Sequence, residues 1–301
     1  VELMNWRDKL QYQYNMAGIT EKLIAINVVA FIALFLFKTL AFLLNISDEF
    51  LLKWLVFPKE LGEFIYKPWS ILTYAFLHGG IWHILSNMII LYFSGRIFLT
   101  FFSAKRLLNY YFLGAISGAL LYMLSYNLFP VFQGTGRSYL IGASAAVMAI
   151  LVGVATQAPN MKVRLMLLGN IKLWWIAAFF VVLDVVQIPM NNPGGHLAHL
   201  GGALLGYMYT SQLSKGNDIG AWFERITDSV VNLFSSKKKA PFKTVYRNKK
   251  STTKKRATAN YSMNKDDKQK KVDAILDKIS KSGYESLSKE EKDFLFNAGK
   301  E

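Results

Sequence analysis

The chain predicts an all-α, polytopic membrane protein: a bundle of six transmembrane helices followed by a short helical cytoplasmic tail. Three observations carry that expectation. The 301 residues are 52% hydrophobic and 15% aromatic with a mean hydropathy of +0.23, which is too apolar for an ordinary soluble chain. Six apolar stretches approach the roughly 20 residues a helix needs to cross about 30 Å of hydrocarbon. Charge lies outside them: residues 1–214 hold 14 basic and 8 acidic groups, and residues 215–301 hold 21 and 12, so the larger part of the net +15 sits in the tail. The absence of cysteine excludes disulfides, a thiol nucleophile and thiolate metal sites.

The elements follow in order. Residues 1–22 form an N-terminal segment containing Arg7, Lys9 and Lys22. The first span, about 23–45, is longer than a signal-peptide core and has no small-residue cleavage site after it, so it reads as a retained helix. Lys38 within it is expected to snorkel or to meet a bundle partner. A connection from 46 to 79 includes Leu51, Leu52, Trp54, Leu55, Val56 and Phe57, and so many apolar groups in a loop predict a segment lying in the membrane interface. Further spans are expected at 80–101, 107–128, 139–157, 172–189 and 196–213, with Pro130, Pro159, Pro189 and Pro193 punctuating the connections. The sixth is short and glycine-rich, which suits a tightly packed helix. Together, 23–213 make one six-span domain.

Orientation follows from basic residues, which favour the cytoplasmic side. Arg96, Lys105 and Arg106 lie in the second connection, and Lys162, Arg164 and Lys172 in the fourth, while the third has only Arg137 and the fifth no charge. Both termini are therefore expected in the cytoplasm, of a bacterial inner membrane. After the last span, Ile219, Trp222, Phe223, Ile226, Val230, Leu233 and Phe234 recur at helical spacing and predict an amphipathic juxtamembrane helix over 214–235, lying on the inner leaflet. Residues 236–270 read as a basic linker, with ten Lys and Arg and no acid between Lys237 and Arg256. Anionic lipid is the expected partner of that run. No base-stacking module accompanies it, so nucleic acid is not expected. Residues 271–301 predict a helical hairpin: Val272, Ile275, Leu276 and Ile279 share a face, Gly283 stops the first helix, and Ser288 with Glu291 makes a capping box before the second.

Polar groups at membrane depth cost several kcal/mol by common estimates unless partnered, so they are informative. His83 and Asn87 share one face of the second span, Ser144 sits in the small-residue run IGASAA of the fourth, and His199 precedes Gly202 and Gly206 on one face of the sixth. These three spans all run from outside to inside, which puts the polar groups at one depth near the outer face. A serine, a histidine and a His/Asn pair supply a nucleophile, a general base and oxyanion donors. Each group taken singly has a plainer reading: an interhelical hydrogen-bonding serine, or a His/Asn packing pair. His196, one turn before His199, is the rival base, and otherwise takes an interfacial or loop-packing role. His78 is expected to line a water-accessible mouth or to pack in the turn before the second span. Four histidines raise the question of a metal, but no acidic residue accompanies them within these motifs and no His-Glu-x-x-His helix exists, so neither a metal nor another cofactor is called for. Asp184, five residues before Pro189, is expected to snorkel outward or to pair with Gln187.

Taken in order, His83-x-x-x-Asn87, Gly142-x-Ser144 and Ala198-His199 followed by Gly202 and Gly206 resemble the rhomboid intramembrane serine proteases of the bacterial six-span kind. The match runs over about 65–212 and takes in Gly95-Arg96, Gly114 and Gly118, while the tail from Val272 to Lys300 resembles one found on some Bacteroidetes members. The resemblance implies a catalytic dyad of Ser144 and His199, without a carboxylate to orient the histidine. It implies an oxyanion hole from His83, Asn87 and the Ser144 N–H, and close helix packing at Gly142, Gly202 and Gly206. Residues 189–195 would be a flexible cap, and the substrates would be transmembrane proteins. Two departures stand out: Ala145 replaces the second glycine of the family's Gly-x-Ser-Gly, and the Trp-Arg pair of the first loop has no clear counterpart. The rival readings are a rhomboid-like protein that binds transmembrane clients without cutting them, disfavoured by the presence of Ser144 and His199, and a small transporter. A transporter would need polar groups spread through the membrane depth or an internal repeat, and the chain has neither.

Overall fold

A computed structural model describes residues 5–47, 49–165, 169–234 and 265–298. The chain divides into two compact units, Val1–Lys238 and Lys239–Glu301. The first unit begins with α1 (Trp6–Met16) and α2 (Ile19–Leu43). Short helices α3 (Glu49–Leu55), α4 (Leu61–Tyr66) and α5 (Ser70–Thr73) then lead to α6 (Ile81–Phe98) and α7 (Ala104–Leu128). After these come α8 (Ser144–Gln157), α9 (Leu173–Gln187), α10 (Pro193–Ser214) and α11 (Ala221–Phe234). The architecture is an all-α membrane bundle. Helices α2, α6 and α7 are each long and apolar enough to cross a bilayer, and α8 and α9 are shorter apolar helices. Helix α2 exposes Val29, Ile32, Leu36, Leu40 and Phe42, the outward apolar surface of a helix solvated by lipid.

Helix α8 is the centre of the bundle, with α6, α7, α9 and α10 packed around it. Its sequence suits that place, because Ala145, Ala146 and Ala149 are small and every residue from Ala145 to Leu151 is buried. Small residues let backbones approach closely where dispersion rather than hydrophobic burial holds helices together. At the far end from Ser144 the contacts become polar and aromatic. Tyr110 of α7 stacks on Tyr209 of α10 at 4.4 Å between ring centroids, and its hydroxyl lies 2.7 Å from Thr210 Oγ1, which donates to Gly153 O of α8 at 3.0 Å. Three helices are pinned there by one hydrogen-bonded chain.

The segment between α2 and α6 is folded, and only its outer side fits the interfacial expectation. Phe57 is completely buried among the rings of Phe64, Tyr74 and Tyr122, while Leu51 and Trp54 are exposed. Strand β1 (Phe57–Pro58) pairs antiparallel with β2 (Tyr139–Leu140), just before α8. Trp69 Nε1 donates to Trp54 O at 2.8 Å and Thr73 Oγ1 to Leu55 O at 2.7 Å. These bonds satisfy backbone carbonyls that an apolar loop would otherwise leave bare. The connection between α8 and α9 forms a hairpin the sequence did not predict, β3 (Lys162–Leu165) with β4 (Gly169–Lys172), in which charged and apolar residues alternate along β3. Helix α11 is not simply laid on a membrane surface. Asn109 Nδ2 of α7 donates to Glu224 Oε1 at 2.9 Å, Lys105 pairs with Asp228 at 2.8 Å, and Phe223 is buried near Phe112. Trp222 and Ile226 keep an exposed apolar side.

In the second unit, α12 (Lys265–Ser282) ends at Gly283, whose φ of +78° favours glycine, and α13 (Lys289–Ala298) follows. The capping box is formed reciprocally: Ser288 N–H donates to Glu291 Oε2 at 2.8 Å and Glu291 N–H to Ser288 Oγ at 3.2 Å. The basic run from Lys237 to Arg256 lies outside the described residues.

Candidate active site

Ser144 is the first residue of α8, so the helix starts at the serine and not at residue 139; residues 139–143 are strand and turn. An initial residue has no intrahelical acceptor for its N–H, which leaves the Ser144 amide available beside its own hydroxyl. The turn that achieves this passes through Gly142, with φ of +125° and its N–H on Tyr74 O at 3.0 Å. That left-handed conformation is strained for any residue with a Cβ. A Cβ there would also stand 2.8 Å from His83 Nε2 and 3.5 Å from Ser144 Oγ. Gly142 thus makes room between the imidazole and the serine. It acts in the loop and not, as the sequence suggested, in a helix-helix contact.

His199 lies in the second turn of α10, and its Nε2 is 2.7 Å from Ser144 Oγ. The two helices approach closely because a Cβ at Gly202 or Gly206 would collide with the backbone of Ala145 or Ala149. Helix α10 starts at Pro193, capped by Asn192, whose side chain accepts from Gly195 N–H at 3.3 Å. Pro193, Gly194 and Gly195 are therefore helical, and the loop above the site shrinks to about residues 188–192. Proline at a first helical position loses no hydrogen bond, which is why the expected long cap is shorter.

The structure overturns the expectation that no carboxylate meets the histidine. Asp184 of α9 is buried, with Oδ1 2.7 Å from His199 Nδ1 and 2.8 Å from His196 Nδ1. It neither snorkels outward nor pairs with Gln187, because two ring nitrogens on one side of α10 offer better partners than the surface. His196, expected as a rival base or in an interfacial or loop-packing role, is buried against Asp184.

His83 accepts weakly from Gly79 N–H at Nδ1, 3.4 Å away. That assignment puts its ring proton on Nε2, the nitrogen that lies against Gly142. Asn87 is buried, and its Nδ2 donates to His83 O at 2.8 Å along its own helix rather than to Ser144. A side-chain amide carries two N–H donors, so one remains beyond that bond. His78 packs in the turn before α6, fully buried with its ring 5.1 Å from that of His83, and neither of its ring nitrogens has a hydrogen-bond partner. It does not line an open mouth.

Ala145 is accommodated by a glycine on the opposite side. Its backbone meets Gly202 of α10, while its methyl points to Gly118 of α7, where a second Cβ would clash.

A helical membrane bundle with a serine hydroxyl hydrogen-bonded to an imidazole at the start of its central helix defines a membrane-embedded serine–histidine site. Comparison with known proteins makes the class specific: the Rhomboid domain family matches residues 66–216, half of the chain, and the chain belongs to that family. It is 31% identical over 157 residues to RHOMBOID-like protein 12, mitochondrial, of Arabidopsis thaliana, an alignment covering 49% of this chain and 47% of that protein. It is 27% identical over 175 residues to Rhomboid protein 1, mitochondrial, of Saccharomyces cerevisiae, covering 56% and 47%. The chain thus spans about half the length of these curated relatives. Residues 258–298 match a second family, described as a family of unknown function (DUF6576).

Proposed function

We propose that the chain is an intramembrane serine endopeptidase that hydrolyses peptide bonds in or near the transmembrane helices of other membrane proteins. The observation that carries this reading is the 2.7 Å contact between Ser144 Oγ and His199 Nε2. A hydrogen-bonded base is what a serine hydroxyl needs to act as a nucleophile near neutral pH. His199 takes the hydroxyl proton as Oγ attacks the carbonyl carbon. The Ser144 N–H and His83 Nε2 then donate to the oxyanion, with Asn87 contributing its remaining N–H. Loss of one such donor typically costs about 100-fold to 1,000-fold in turnover. The substrate is cut near the outer membrane face, where a segment released from helical hydrogen bonding presents an extended backbone. Both termini lie in the cytoplasm, the membrane is a bacterial inner membrane, and the basic run beyond α11 binds anionic lipid.

The test is cleavage of a reporter transmembrane segment by the purified full chain in lipid vesicles, with Ser144→Ala and His199→Ala run in parallel. Cutting that disappears in both folded variants supports the reading. Absence of cutting by folded wild-type protein across a broad panel of segments overturns it in favour of a client-binding protein.

A further inference from the structure

Asp184 is the only acidic residue between Glu63 and Asp218, and it sits on an otherwise apolar helix. A buried carboxylate is costly unless several donors stabilise it. Here two do, because His196 and His199 are three residues apart on α10 and direct both Nδ1 atoms at one carboxylate oxygen. We propose that Asp184 is a positioning residue that holds His199 in the tautomer and orientation required by Ser144, with His196 donating a second hydrogen bond to the same carboxylate oxygen and so fixing it in place. The proposal rests on the protease reading above and adds a third member to its serine–histidine pair.

The argument is one of proton placement. A neutral imidazole has one N–H and one bare nitrogen. With the proton on Nδ1, His199 donates to Asp184 Oδ1 over 2.7 Å and keeps the Nε2 lone pair for the Ser144 hydroxyl, also 2.7 Å away. The other tautomer would set a lone pair against the carboxylate and an N–H against the hydroxyl that must lose its proton. In the reaction the Oγ–H bond breaks, its proton moves to Nε2, and Oγ bonds to the carbonyl carbon while the π pair moves to the carbonyl oxygen. The imidazolium so formed lies beside the carboxylate, whose charge stabilises it without taking the proton. When the tetrahedral intermediate collapses, the C–N bond breaks and Nε2 returns the proton to the leaving amine. Water then repeats the sequence on the acyl-enzyme. His83, of α6, stands on the Gly142 side of the serine, where it serves the oxyanion and not the Nδ1 atom of His199.

The experiment compares wild type with Asp184→Asn and Asp184→Glu as full chains in vesicles containing a chelator, using the same reporter segment. Asp184→Asn keeps the size but can present an N–H to Nδ1, which favours the wrong tautomer. The expected result is a fall in kcat of about 10⁴-fold, the scale known for an orienting carboxylate in a soluble serine protease. KM should stay within about threefold, and Asp184→Glu should recover part of kcat. A merely structural role would move thermal stability and KM and would not be rescued in this way. Should Asp184→Asn fail to fold, selective ¹⁵N-histidine NMR of the wild type reads the His199 tautomer directly, and protonation at Nδ1 is expected. The proposal is overturned by a folded Asp184→Asn whose kcat is within about threefold of wild type, or by a bare Nδ1. It is also overturned if chelator abolishes wild-type cleavage and zinc restores it, since the three side chains could then be metal ligands, their ligating atoms lying within 4.8 Å of one another. Wild-type protein that never cleaves sinks the protease reading itself, a result separate from these.

Discussion

Replacing Gly202 with alanine should uncouple the serine from its base without touching either. Gly202 lies one turn after His199 on α10 and faces the residue that follows Ser144 on α8. A methyl at this position would stand 3.0 Å from Ala145 Cα and 2.7 Å from its carbonyl carbon, with the carbonyl oxygen nearer still. Ordinary van der Waals contact begins at 3.4 Å. All three atoms are backbone of the buried central helix, so none can swing aside, and the two helices must part by roughly 1 Å. The Ser144–His199 hydrogen bond of 2.7 Å would then lengthen past the usual limit. Overpacking of this kind typically costs 1–3 kcal/mol in stability, and a displacement of about 1 Å can cost on the order of 100-fold in rate. The assay is kcat on the vesicle reporter together with thermal unfolding, with Gly62→Ala as control, since nothing lies within 4 Å of a Cβ there. Gly202→Ala should lose about 100-fold in kcat with a modest fall in Tm. Wild-type kcat in a folded variant would refute the claim that backbone contact between α8 and α10 sets the serine–histidine distance.

Asn87→Ala should lower kcat by less than the serine or histidine substitutions, about 100-fold to 1,000-fold, because His83 and the Ser144 N–H remain as donors; loss as complete as in Ser144→Ala would assign Asn87 a larger role. Removal of residues 236–301 should leave reporter cleavage within about threefold of the full chain, because the site is built between residues 79 and 202; a folded truncation without activity would contradict this. In the second unit, the Lys278 ammonium and then the Ser288 backbone N–H hold the Glu291 carboxyl below the usual glutamate range. A depressed carboxyl stabilises fully above its unfolded value and loses that contribution as pH falls through the folded value. Titration of Glu291 by NMR should show the lowered midpoint, and Lys278→Ala should move it back up.

The residue types at the site were legible because membrane burial makes polar groups conspicuous. Ser144, His83 and His199 stand among apolar neighbours, and the glycines spaced around them point to close backbone approach. The Asp184 contact was not legible for a geometric reason. Helical periodicity tells which residues share a face of α9 or of α10, but not how far one helix is rotated against the other across the turn at residues 188–192. A carboxylate near the end of an apolar helix therefore read as a surface group. The available signal was chemical: a lone acid in a long stretch without others, followed by two histidines 12 and 15 residues later. The pairing of β1 with β2 was hidden for another reason. Each strand is two residues long, and about 80 residues separate them, so no periodicity marks them.

Ala145 shows how a departure from a family pattern can be neutral where it looks disruptive. The residue after the serine serves two contacts with different parts of itself. Toward α10 it offers backbone, which is the same for glycine and alanine, and Gly202 supplies the space. Toward α7 it offers the methyl, and there Gly118 has no Cβ to oppose it and also lies against Ala198 O, next to His199. The methyl therefore fills space between α8 and α7 and does not enter the α8–α10 contact on which the Ser144–His199 distance depends. A Gly118→Ala change would remove that accommodation and press on Ala145 and Ala198 together. Such a substitution should be more damaging here than Ala145→Gly, which only leaves a methyl-sized gap. The glycine that matters to the serine motif in this chain stands on the third span, 26 residues before the serine itself.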